Sequence, residues 1–133
     1  MTTTTSVHAL IEAALIAAGV ATFDGPAKNL PTKADGTIAQ AAVLWPSPRL
    51  TQYTRQSGTR SGGNDRVTIT CVGATTRDAL AVADKVEAAI GGLVLSPKGN
   101  PLRQTIATAP APEPNSNPVR VSCAVEYTTI TKG

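Results

Sequence analysis

Between Arg66 and Gly92 the hydrophobic period of the chain changes once, and that change limits the folds open to it. The stretch RVTITCVGATTRDALAVADKVEAAIGG begins with strict alternation, Val67, Ile69 and Cys71 on one side and Arg66, Thr68 and Thr70 on the other. A period of two with β-branched residues predicts a strand with one covered face. Gly73 then breaks the run, and Thr75 or Thr76 offers a hydroxyl to cap a helix. From Arg77 to Ile90 the period is helical: Ala79, Val82, Ala83, Val86, Ala89 and Ile90 share one face, and Gly91–Gly92 ends the run. A strand feeding a helix that folds back over the sheet is the prediction. It specifies no function.

A second alternating run, Val119, Val121, Cys123, Val125 and Tyr127 against Arg120, Ser122, Ala124, Glu126 and Thr128, predicts a closing strand on the same covered face. Cys71 and Cys123 are then core cysteines acting as small hydrophobes. A first helix is expected over Val7–Ala18, with Ser6 as its cap and Gly19 as its stop. Val7, Leu10, Ile11, Ala14 and Ala18 form its main face, and Leu15 and Ile16 lie outside it. A helix this apolar around its circumference is expected to be buried on two sides, the second against another subunit. His8 and Glu12, one turn apart, are expected to form a surface ion pair at its edge.

Val20–Phe23 is expected to be a short strand ended by the turn Asp24-Gly25-Pro26. The second half of Thr37–Trp45 is a strand closed by Pro46 and Pro48, with Trp45 as a core or interface plug. Ser47–Asp65 carries Arg49, Tyr53, Arg55 and Arg60 among Ser, Thr and Gly, and is expected to be a long mobile hairpin or loop. Leu93–Ser96 is an apolar edge before a Pro97–Pro101 turn, Leu102–Ala107 a strand, and residues 108–118 a proline-rich surface connection.

At 133 residues the chain is most simply one domain over 1–133, with residues 1–5 flexible. Aromatic residues are 3%, too few for a platform that stacks single-stranded nucleic acid. The net charge of +3 is below that of a dedicated duplex binder. The apolar run near the N-terminus lacks a basic flank and is too short to span a bilayer, so a soluble intracellular protein with reduced cysteines is expected. No GxSxG, CxxC or phosphate-loop motif occurs, and the single histidine has no nucleophile beside it. Asp78, Asp84 and Glu87 fit a solvated helix face, and Asp24, Asp35 and Asp65 fit turn supports. No enzyme, cofactor or metal site is expected.

The order of elements, with the strand–helix run RVTITCVG–ATTRDALAVADKVEAAI and the closing strand VRVSCAVEYTT, resembles the tail terminator proteins of long-tailed, siphovirus-type bacteriophages, those of actinobacterial phages in particular. The resemblance spans the first helix to the last strand. It implies an α+β protomer, a mainly antiparallel twisted sheet of about four to five strands with two helices packed against it. It also implies a hexameric ring in the virion, at the head-proximal end of the tail tube, assembled in the host cytoplasm. The partners would be copies of itself, the tail tube protein and a head-completion protein, with DNA passing through the ring without sequence-specific binding and no membrane involved. A lumen that passes DNA should not grip it, which places Arg55 and Arg60 at a subunit or tube interface. Leu15, Ile16, Arg49, Tyr53, Arg55 and Arg60 are the candidate contact residues. A head-completion or connector protein, and a small nucleic-acid-binding α+β domain, are the alternatives.

Overall fold

The computed structural model describes residues 4–25, 30–46, 50–53, 60–94, 101–113 and 118–132. In chain order the elements are α1 (Thr4–Ala17), β1 (Thr22–Asp24), β2 (Ala41–Pro46), β3 (Leu50–Tyr53), β4 (Arg60–Gly73), α2 (Thr76–Ile90), β5 (Arg103–Ala107), β6 (Ala111–Pro112) and β7 (Val121–Lys132). The seven strands form one sheet in the order β1-β2-β4-β7-β5, with β3 added to β4 and β6 to β7. Only β1 and β2 pair in parallel; every other pair is antiparallel. The α+β class with two helices on a mainly antiparallel sheet is as expected, and the short strands β1, β3 and β6 bring the number to seven.

Alternation in β4 and β7 selects the two faces of the sheet. Val67, Ile69 and Cys71 lie opposite Tyr127, Val125 and Cys123, and all six are buried. The helices close over that face. Val82, Val86 and Ile90 of α2, Val7, Ile11 and Leu15 of α1, and Ala42 and Leu44 of β2 complete one core. Burying each large aliphatic side chain contributes about 1.5–3 kcal/mol, so this cluster dominates the stability of the fold. A smaller cluster, Leu30, Ile38, Ala41, Val43 and Val72, covers one corner of the opposite face.

The predicted start of α2 is observed at the atomic level. Thr75 is its N-cap, accepting a hydrogen bond from the Asp78 N–H at 3.2 Å, and Gly91 is its C-cap. Gly92, at φ 85°, makes the left-handed exit that a glycine enters at no steric cost. Gly73 has a different task. A Cβ there would sit 2.4 Å from the Asp78 Cβ and 2.8 Å from the Ala79 nitrogen, so glycine lets the strand end touch the first turn of α2.

Several expectations are corrected. Helix α1 starts at Thr4, so Ser6 is inside it and the helix includes two of the five residues expected to be flexible. Its core face is Val7, Ile11 and Leu15, whereas Leu10 is 47% exposed. An almost wholly apolar helix gives its period no polar side from which to fix the phase. Strand β4 begins six residues before Arg66, and β3 pairs with that extension, so the Ser/Gly-rich segment is a strand pair wherever it is described. Asp65 is accordingly buried in a strand opposite Thr129, not placed in a turn. Val119 precedes β7 and is 65% exposed. The turn at 97–100 lies outside the described residues.

Replacing Gly73 by alanine should destabilise the protein by about 2 kcal/mol, because the atom it meets at 2.8 Å is backbone and cannot rotate away. Chemical denaturation would show this as a lower midpoint with an unchanged slope.

Candidate assembly surfaces

Helix α1 presents two unlike faces. Leu15, expected at a subunit contact, is fully buried among α2 and sheet residues and is a core residue. Ile16 is 58% exposed, and Ala9, Leu10, Ala13 and Ala17 are exposed beside it. At 100° per residue these five apolar positions span about 120° of the circumference, a sector that carries no charged residue. The helix is docked at its other edge by His8, whose Nε2 lies 2.9 Å from Asp24 Oδ1 and 3.8 Å from Glu12 Oε2. The expected His8–Glu12 pair therefore has a third member that ties α1 to β1. These ligand-type atoms fall within 4.8 Å of one another.

The second surface is an arm. Beyond the part of the sheet under α2, β4 continues from Arg66 back to Arg60, flanked by β3 on one side and the end of β7 on the other. Seven residues at strand spacing extend about 20 Å. Tyr53 and Arg60 are register partners at its far end, so the fold brings these two candidates together. Arg49 and Arg55 lie outside the described residues. Arginines among Ser and Gly gave a partner signal in the sequence but no strand signal, because two glycines weaken the β pattern that pairing on both sides imposes.

The third surface is the sheet face opposite the helices. Thr68, Thr70, Ser122, Ala124, Glu126 and Thr128 point that way and are half-buried. The Thr105 and Thr128 hydroxyls lie 3.2 Å apart, and the Trp45 indole N–H donates to Thr70 Oγ1 at 3.1 Å. Trp45, expected as a plug, is 41% exposed here and covers Gly25. No described helix covers this face.

Several titratable groups among the described residues tie elements together. Lys85 donates to Gln40 Oε1 at 3.1 Å, and Lys33 Nζ lies 3.8 Å from Asp78, tying the 30–40 segment to α2. Arg120 and Glu113 pair at 2.9 Å across the proline-rich connection. The Thr37 hydroxyl and N–H hold Asp35 below the usual carboxylate range, in the turn-supporting role expected of it. Burial pushes the Cys71 thiol up to about 12, with Cys123 beside it adding to the shift, and burial also raises Cys123. Tyr127 is raised by burial and by the hydrogen bond its hydroxyl donates to Glu87. Among the described residues no helix is long and apolar enough to cross a membrane.

No protein-family profile matches the sequence, and no curated protein does. The fold is similar to that of a chain in the virion of a native gene transfer agent particle. The two share 19% identity at a TM-score of 0.60, over 98% of this chain and 94% of the other. At that identity the likeness is one of fold.

The two neighbours on α1 should separate cleanly. Leu15→Ala should cost about 3 kcal/mol by opening a cavity, whereas Ile16→Ala should change protomer stability by less than about 0.5 kcal/mol. Thermal denaturation of both variants checks the assignment of faces.

Alkaline pH should also unfold the protein. The folded Cys71 pKa lies above its unfolded value of 9.0, so its contribution is complete below pH 9 and is lost as pH rises towards about 12. The loss should approach about 1.4 kcal/mol per pH unit in that window, with Tyr127 adding to it above pH 10. Cys71→Val should make the profile shallower between pH 9 and 10, with Cys123 keeping part of the slope, as followed by denaturant titration.

Proposed function

We propose that this chain is a structural protein of a phage-like virion, and within that class a tail terminator. It would form a hexameric ring on the head-proximal end of the tail tube, stop tube polymerisation and present a surface to the head-completion protein. The observation that carries the proposal is the fold shared along nearly the whole length of both chains with a virion component.

The surfaces suit such work. A closed ring repeats one heterologous contact, which requires two different patches on each protomer. The uncharged outer face of α1, with Leu10 and Ile16, supplies one kind of patch, and the three-stranded arm ending at Tyr53 and Arg60 supplies another. The α1 face contacts the neighbouring subunit, and the arm, with Arg49 and Arg55 close to it in sequence, reaches a neighbour or the tube. DNA passes through the lumen without base-specific contact. The work is binding alone, without catalysis.

The test is to add the purified protein to polymerising tail tube protein from the same particle and to image the products by electron microscopy. Tubes capped at one end by six-subunit rings are expected, and Ile16→Asp should abolish the rings while leaving the protomer folded. Uncapped tubes of unlimited length would refute the terminator assignment. Binding to the portal side instead would make the chain a head-completion protein, and retention on DNA that falls steeply with salt would make it a nucleic-acid-binding domain.

A further inference from the structure

The two cysteines are direct register partners at the centre of the sheet, and both are free and buried. Hydrogen bonds around them fix the kind of pair they form. Thr108 N–H donates to the Ala124 carbonyl at 2.9 Å, and Ala124 N–H donates to Thr108 Oγ1 at 2.8 Å. Ala124 thus turns its backbone groups away from β4, and Cys123, next in the strand, turns its own towards β4. On the other side Ala42 N–H donates to the Ala21 carbonyl at 2.8 Å, so Ala42 faces away from β4 and its partner Cys71 faces β7. Cys71 and Cys123 are therefore a hydrogen-bonded antiparallel pair, with Cα atoms about 5.5 Å apart. Disulfides most often join Cα atoms about 5.5–6 Å apart. The side chains share one face, beneath α2, where Cys123 Sγ lies 3.9 Å from the Ala79 carbonyl. To bond, the Cβ atoms need to close by on the order of 1 Å.

We propose that Cys71 and Cys123 are a disulfide-forming pair, reduced while the protein is made in the host and joined in the oxidising medium outside it. The timing rests on the virion assignment; the capacity to form the bond does not. The oxidant is a peroxide, small enough to enter where a bulky disulfide reagent is not. The Cys123 thiolate attacks one oxygen of hydrogen peroxide, the O–O bond breaks, and the departing hydroxide leaves as water, giving a sulfenic acid. Cys71, after losing its proton, attacks the Cys123 sulfur and displaces the second oxygen as water. In sum, two thiols and one peroxide become one disulfide and two waters. Cys123 reacts first because it is 5% exposed, against 0% for Cys71. Both steps need thiolate, so the bond forms slowly at neutral pH and about tenfold faster for each pH unit between 7 and 9.

The experiment treats the folded full-length protein with hydrogen peroxide at pH 8, then alkylates, digests and maps it without reduction. The expected result is a single intramolecular Cys71–Cys123 peptide, reversed by dithiothreitol, in a monomer whose melting temperature rises on the order of 10 °C. Cys71→Ala and Cys123→Ser should each abolish the linked peptide, and circular dichroism establishes that each variant is folded. Oxidation of either thiol to sulfinic or sulfonic acid without linkage, linkage only in urea, or a linked protein that melts lower would each overturn the proposal. A preparation that caps tail tubes but forms no bond refutes the bond alone, and one that forms the bond but leaves the tubes uncapped refutes only the terminator assignment.

Discussion

Twelve consecutive register pairs join β4 to β7, from Gly62–Lys132 to Gly73–Val121, and the rest of the molecule is attached to that ladder. The pairing brings together segments some fifty residues apart, so its loop-closure entropy has to be offset by what it organises. It organises the core. Val67, Ile69 and Cys71 with Tyr127, Val125 and Cys123 make a six-residue apolar floor on which α2 lies, and α1 completes the core against α2 and β2. The same ladder, continued past the helices, is the backbone of the arm. Core and candidate contact surface are two halves of one pair of strands.

That economy explains how a chain with so few charged groups can carry distinct surfaces. The helix-covered half of the ladder is closed to solvent, the opposite face is lined by threonine, and the outer face of α1 is uncharged. Among the described residues, polar and charged pairs sit at joints: His8–Asp24 between helix and edge strand, Arg120–Glu113 across the proline-rich connection, Lys33–Asp78 at the start of α2. Pairs this exposed stabilise weakly, and their value is in fixing which elements touch.

How much of this was legible in the sequence varied with the strength of the local signal. Strand β4 from Arg66 onward, α2 with its Thr75 cap, and the buried side of β7 each carry period, cap and stop residues that agree, and each was placed correctly. Helix α1 was found, but its phase was not, because Leu10 and Leu15 are chemically alike and only packing distinguishes 47% exposure from none. The arm was hidden for the opposite reason. Gly62 and Gly63 have no propensity to offer, and their strand conformation comes from partners on both sides, which no local window contains. Ile16, Tyr53 and Arg60 could be named from the sequence as candidate contacts, yet the pairing of Tyr53 with Arg60 required the register.

The strand order β1-β2-β4-β7-β5 also makes the sheet depend on one strand. Strand β7, which follows β4, β5 and β6 in the chain, belongs in the interior of the sheet, between β4 and β5. Until it arrives, β4 has a bare edge and α2 rests on half a floor, while β5 and β6 have nothing to pair with. The strand–helix unit over residues 60–90 is local in sequence, but the sheet closes only when residues 121–132 pair with β4 on one side and gather β5 and β6 on the other. Any shortening of β7 therefore strands β5 and β6 together with it.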